Sequence, residues 1–284
     1  MSNLKPDSVI GCLDCPEHVQ AVLEASMWAA TRLQAPIGLL HAAPSLQQKA
    51  AVNYSGCLNI DDENNLLEQF TIKEHIGNCE LKAQGRLLLH QATTYCEQQR
   101  QKLKTYTLHR HEHLNESIDY VDDKAQLIVI GHHVTCKSTL SQLIRVSHCP
   151  ILVTHAPFLP PKTALFAFDN SPTCHKLLNW LCKTSLFRSL TVHIVMVGKK
   201  TSGNCDALRE AYARLKQAGI KSKKSLLNSH DVTSALHYYQ NENDIGILMS
   251  GAFGQSRLRE LLRGSDTEKL LGSTKTPHLL FPKA

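Results

Sequence analysis

Short apolar runs alternate with helix-period stretches along this chain, and the whole alternation occurs twice. The first round opens with the run from Ser8 to Asp14. A helix-period stretch follows from Val19 to Leu33, and then a second apolar run, Pro36 to Ala42. The second round opens with Thr163 to Asp169, passes through a helical stretch from Cys174 to Phe187, and reaches a second run, Leu190 to Val197. Later segments pair in the same way. Lys102 to Leu108 and Lys221 to Leu227 read as third strands, and Asn115 to Tyr120 and Val232 to Tyr239 read as helices. Leu127 to Gly131 pairs with Gly246 to Gly251, and Cys149 to Thr154 pairs with Thr276 to Phe281. Short apolar runs separated by helical crossovers indicate parallel strands, so each copy is expected to form an open five-stranded parallel α/β sheet.

The copies meet at Ala156-Pro-Phe-Leu-Pro-Pro161, a proline-rich join that cannot continue a helix and is poor in ladder donors. This divides the chain into residues 1–156 and 162–284, and a length of 284 residues suits two domains. The first copy carries an insertion over 44–76. Its polar sequence, including Asp61-Asp-Glu-Asn-Asn, predicts loop or lid structure before a helix from Leu81 to Gln99.

The copies also differ in the loop after the fourth strand. In the second copy it reads GAFGQSRLRELLRGS, with the spacing Gly251-x2-Gly254-x9-Gly264-Ser265. Glycine permits φ > 0 and close backbone approach, so such turns can turn N–H groups toward an anion. Gly264-Ser265 then opens a helix, whose N-terminus favours phosphate. The chemistry implied is holding a nucleotide; nothing in the motif breaks a bond. In the first copy Val134 stands where the second glycine would be, and no Gly-Ser closes the loop. Gly131 lies 19 positions before Pro150, against 26 from Gly251 to Pro277, so the phosphate-binding segment is missing there. Arg257, Arg259 and Arg263 suit a solvated helix face better than phosphate contacts.

With its glycine spacing, the Asp169-Asn170-Ser171-Pro172 turn after the first strand and Pro277 before the last, the chain resembles a tandem universal stress protein. The likeness spans nearly everything outside 44–76. It implies an adenine nucleotide alpha hydrolase-like, flavodoxin- or Rossmann-like three-layer fold, with ligand at the carboxyl ends of the strands. It further implies an internal pseudo-dimer of domains and a possible homodimer through final strands. The cofactor implied is ATP or a related adenine nucleotide in the second copy. By resemblance Asp169 lies near the adenosine, Val197 walls the adenine, and Ser250 and Gly251 lie beneath ribose and phosphates. Gly254, Gly264 and Ser265 then cradle the phosphates. Asp266 departs from the family pattern. Its carboxylate suits a helix N-terminus but repels a triphosphate unless Mg²⁺ or Mn²⁺ lies between. Asn170 replaces the usual glycine, which is tolerable because Asn readily adopts the left-handed conformation.

Composition narrows the remaining classes. The formal charge of +6 is spread along the chain, which indicates a mildly basic surface and no nucleic-acid footprint. No long apolar run predicts a membrane span, and the first residues lack a signal-peptide pattern, so a cytosolic location is expected. The ten cysteines are scattered. Cys12-Leu-Asp-Cys15 straddles the end of a strand and reads as ordinary reduced thiols, and Asp14 as a cap or turn residue. The alternating His109, His111 and His113, with His132-His133 after the fourth strand, raise a Zn²⁺ site from His109, His111 and His132 or His133. Two alternatives to a nucleotide-binding stress or signalling protein remain open. One is slow ATP hydrolysis or nucleotidyl transfer, although no Walker-type Gly-Lys-Ser/Thr is present. The other is a nucleotide-free interaction module.

Overall fold

A computed structural model of the chain describes residues 4–44, 60–99, 103–132, 137–251 and 276–282. Strands β1 (Ser8–Cys12), β2 (Ile37–Ala42), β3 (Thr105–Arg110), β4 (Ala125–Gly131) and β5 (Ile151–Thr154) come from the first half. Strands β6 (Thr163–Ala167), β7 (Thr191–Val197), β8 (Ser222–Leu227), β9 (Ile247–Gly251) and β10 (His278–Phe281) come from the second. The helices are α1 (Val19–Leu33), α2 (Ile60–Gln99), α3 (Leu114–Val121), α4 (Lys137–Val146), α5 (Pro172–Lys183), α6 (Ser202–Gln217) and α7 (Val232–Glu242).

Local chemistry marks several of these boundaries. Gln34 ends α1 in the left-handed region at φ 54°, and Pro36 follows shortly. Ser171 caps α5 by accepting from the Cys174 N–H at 3.3 Å, with Pro172 in the first turn where its missing N–H is harmless. Thr201 and Asp231 cap α6 and α7 in the same way.

The insertion departs from expectation. Residues 60–76 belong to the 40-residue helix α2, which runs unbroken to Gln99. The acidic run that suggested a loop lies in the first turns of that helix, where carboxylates favour the dipole, and no proline interrupts residues 60–99. Residues 45–59 lie outside the described residues.

Every strand joins one ten-stranded sheet in the order β3-β2-β1-β4-β5-β10-β9-β6-β7-β8. Within each half all pairings are parallel. The halves meet where β5 and β10 pair antiparallel, with Val153 opposite His278 and Ile151 opposite Leu280. The strands of the two halves therefore run in opposite directions, and their carboxyl rims lie on opposite edges of the sheet. Both final strands are paired on each side, and the free edges are β3 and β8.

Side chains alternate between the faces with the period of two that a strand imposes. Val9, Val129, Phe166 and Ile194 face a layer made by α1, α2, α5 and α6. Ile10, Ile128, Ile130 and Val153 face α3 and α4, while Leu165, Val195 and Leu248 face α7. The first layer is a single core shared by both halves. At its centre the Trp28 ring of α1 meets Phe158 at 5.9 Å and Phe187 at 6.5 Å between centroids. Arg32 lies over the same indole and pairs with Ser189, and the Arg32 carbonyl accepts from the Ser185 hydroxyl at 2.6 Å.

Trp28→Ala is expected to lower the unfolding free energy by about 3–5 kcal/mol, as large core truncations do. Because Trp28 touches both halves, urea unfolding of the native chain should remain one transition. Two separated transitions in the native chain would show that the halves fold independently.

Candidate functional site

In each half the first strand lies at the centre, and the chain leaves it first to one side and later to the other. Such a switch in strand order opens a crevice at the carboxyl ends. In the second half the switch lies between β6 and β9, with β7 adjoining.

Asp169 follows β6 at this rim. One carboxylate oxygen, Oδ1, accepts from the Ser171 N–H at 3.0 Å. The other, Oδ2, is buried and accepts from no N–H or O–H group, and the weak donor Cys174 Sγ lies beside the carboxylate. Asn170 has φ 60°, the left-handed conformation that its place in the tight turn requires. Val197 ends β7 beside Leu227 and packs against the core under α7. Gly251 ends β9 directly against the start of α5. A Cβ there would lie 2.9 Å from Thr173 Cγ2, so only glycine allows this approach. Asp169, Val197 and Gly251 thus line the carboxyl rim of three adjacent strands. Ser250 is buried, and its hydroxyl lies 2.9 Å from His278 Nε2 on β10. It sits within the sheet one residue before Gly251, beneath the rim. Gly254, Gly264, Ser265 and Asp266 lie outside the described residues.

The first half repeats the rim with different side chains. Gly131 ends β4 as Gly251 ends β9, and a Cβ there would lie 2.5 Å from His18 Cβ. His18 therefore stands where Thr173 stands in the second half. Around it are Cys15 and Glu17 from the turn preceding α1, and His155 just past β5. His132 stacks on His155 with centroids 4.4 Å apart.

Of the metal site expected from His109, His111 and His132 or His133, the described residues His109, His111 and His132 do not form one group. β2 and β1 lie between β3 and β4, which separates His109 from His132 by about three strand spacings, roughly 14 Å. The reason is topological: third and fourth strands end on one rim but are not neighbours. His109 meets His41, its register partner on β2, at 5.0 Å between centroids, and His111 at 4.6 Å. Gly85 of α2 makes room for these rings, since a Cβ there would lie 2.6 Å from the His109 imidazole. His132 belongs to the His18 and His155 rim, and His133 lies outside the described residues. Sequence reasoning missed His18, His41 and His155. No local pattern marked them; the register of β2 against β3 brings His41 to His109 only in the assembled sheet.

These features define an α/β protein with two open parallel halves, a switch in strand order in each, and the halves sealed by their last strands. A universal stress protein from Synechocystis sp. (strain ATCC 27184 / PCC 6803 / Kazusa) is 30% identical over 287 residues, covering 96% of this chain and 99% of that protein. The chain belongs to the universal stress protein family. No family model matches it. Among solved structures, a universal stress protein from Archaeoglobus fulgidus DSM 4304 superposes with a TM-score of 0.63 at 15% identity, covering 99% of both chains. A protein from Pseudomonas aeruginosa UCBPP-PA14 superposes with a TM-score of 0.54 at 16% identity, covering 98% of this chain and 93% of that one. Both show the same fold. Among the described residues no helix is long and apolar enough to cross a membrane.

Burial pushes the imidazole of His278 down to about 3, and the neighbouring charge of His155 adds to the effect. Burial, with His132 and His18, pushes His155 down to about 4. His109 is also held near 4, by burial first and then by His41, His111, Arg86 and Lys82. In the unfolded chain each returns to about 6.5. Between these limits the unfolded chain binds protons that the folded chain refuses, so stability is full above about 6.5 and falls as pH drops toward 4. One fully buried histidine such as His278 contributes a slope of about 1.4 kcal/mol per pH unit within that window. The urea midpoint should therefore drop between pH 7 and pH 4.5, and drop less in His278→Gln. A flat profile in the native chain would contradict the buried neutral state.

Proposed function

We propose that the protein is a cytosolic stress-response protein that holds ATP or a related adenine nucleotide at the carboxyl rim of its second half. Residues 162–284 form the nucleotide domain, and residues 1–156 act as its structural or regulatory partner. The observation that carries this reading is the buried Oδ2 of Asp169 at the strand-order switch, which accepts from no N–H or O–H group. A carboxylate oxygen there takes a hydroxyl or amino donor, which a nucleoside supplies. The close fit of Gly251 against Thr173 supports it, because the Gly254, Gly264 and Ser265 loop continues directly from that point. Val197 offers an apolar wall on the neighbouring strand. The phosphates fall to the N–H groups of the loop and the Ser265 hydroxyl. Asp266 then calls for Mg²⁺ or Mn²⁺ between its carboxylate and the phosphates.

Calorimetric titration of ATP into metal-stripped protein, with and without Mg²⁺ or Mn²⁺, is expected to give one site per chain. Gly264→Val should abolish binding. Asp169→Ala should weaken it about tenfold, or about 1.4 kcal/mol. Two sites per chain, or unchanged affinity in Gly264→Val, would overturn the assignment. Nucleotide turnover is expected to be absent. Hydrolysis that persists through purification and vanishes in Gly264→Val would make the protein an enzyme instead.

A further inference from the structure

The first half has kept the fold of the rim and changed its chemistry. Where the second half has Asn170, Ser171, Pro172 and Thr173, the first has Cys15, Pro16, Glu17 and His18. The correspondence is spatial as well as sequential, since His18 and Thr173 each pack on the glycine that ends the fourth strand of their half. We propose that this rim binds a transition-metal dication, with Zn²⁺ as the best chemical match, through Cys15 Sγ, a Glu17 carboxylate oxygen and a His18 imidazole nitrogen.

Three observations converge on the site. First, one donor atom from each of Cys15, Glu17 and His18 lies within 4.8 Å of the other two. A tetrahedral ion with bonds of about 2.0–2.3 Å needs ligands somewhat closer, which small side-chain rotations supply. Second, the backbone preorganises the group. The His18 N–H donates to the Cys15 carbonyl at 3.1 Å, closing the turn that sets the three side chains together. Third, two imidazole nitrogens here are buried without a hydrogen-bond partner, His18 Nδ1 and His155 Nε2. His155 is only 8% exposed, stacks on His132, and lies near enough to His18 for their charges to interact. An unsatisfied buried polar atom destabilises the fold, and a cation that takes up an imidazole lone pair removes that cost.

The donor set selects the class of ion. Thiolate and imidazole favour zinc-like ions over Mg²⁺ or Ca²⁺, and three protein ligands leave a position for water or a further histidine. The other imidazole cluster, His41, His109 and His111, is packed ring on ring. It does not bring three donor atoms within the same distance, so it serves as the comparison site.

The test uses the full-length, metal-stripped protein and Co²⁺ as a spectroscopic probe, followed by Zn²⁺ titration. Co²⁺ should bind with one equivalent and show thiolate-to-cobalt charge-transfer absorption. Cys15→Ser should remove that absorption, and both Cys15→Ser and His18→Ala should weaken Zn²⁺ binding about tenfold or more. His109→Ala should leave both readouts intact. Metal-free thermal unfolding of each variant separates loss of ligand from loss of fold. His18→Gln, which keeps a polar group against Gly131, serves if His18→Ala does not fold. Absence of charge-transfer absorption, its persistence in Cys15→Ser, or loss of binding in His109→Ala alone would each overturn the proposal. ATP binding in the second half should be unaffected, so failure here is distinct from failure of the nucleotide assignment.

Discussion

The antiparallel pairing of β5 with β10 is the constraint on which the rest of the architecture depends. Alone, each half would end in a strand with one row of unpaired backbone donors and acceptors, a template for non-specific association. Joining the two last strands removes both edges at once and continues the sheet through the molecule. The remaining edges are β3 and β8, and β8 carries Lys223 and Lys224, charges that discourage further strand addition. A dimer of chains built on the final strands has no free edge to use.

The same pairing sets the packing. It turns the halves about an axis through the sheet, so that α1 and α2 lie on the same face as α5 and α6. Their apolar stripes merge into one core through Trp28, Phe158 and Phe187. The opposite face keeps separate clusters, one beneath α3 and α4 and one beneath α7. It also directs the two carboxyl rims to opposite edges of the sheet. His278 stands at the seam between them, bonded to Ser250 and close to His155.

The two rims show how one backbone geometry carries different chemistry. Both place a glycine at the end of the fourth strand because the helix start that follows the first strand packs directly on it. What packs there is free to differ. Thr173 leaves the second rim small, with an anionic oxygen at Asp169, whereas His18 fills the first rim with an imidazole among sulfur and carboxylate donors.

The strands were legible from sequence because buried parallel strands read as short apolar runs, and their observed bounds lie within a few residues of those runs. The doubled plan and the second copy's glycine spacing were legible because they are linear patterns. The reach of α2 was not, since its polar first turns look the same in a loop and at a helix N-terminus. By itself the sequence determined the fold class, the repeat and the rim to which Asp169 and Gly251 belong, all set by local periodicity and turn chemistry. Only the tertiary structure decided which histidines meet. His41 finds His109 by strand register, His132 stacks on His155 across neighbouring strands, and His109 is parted from His132 by two intervening strands. Strand order and register are properties of the assembled sheet, and no single segment encodes them.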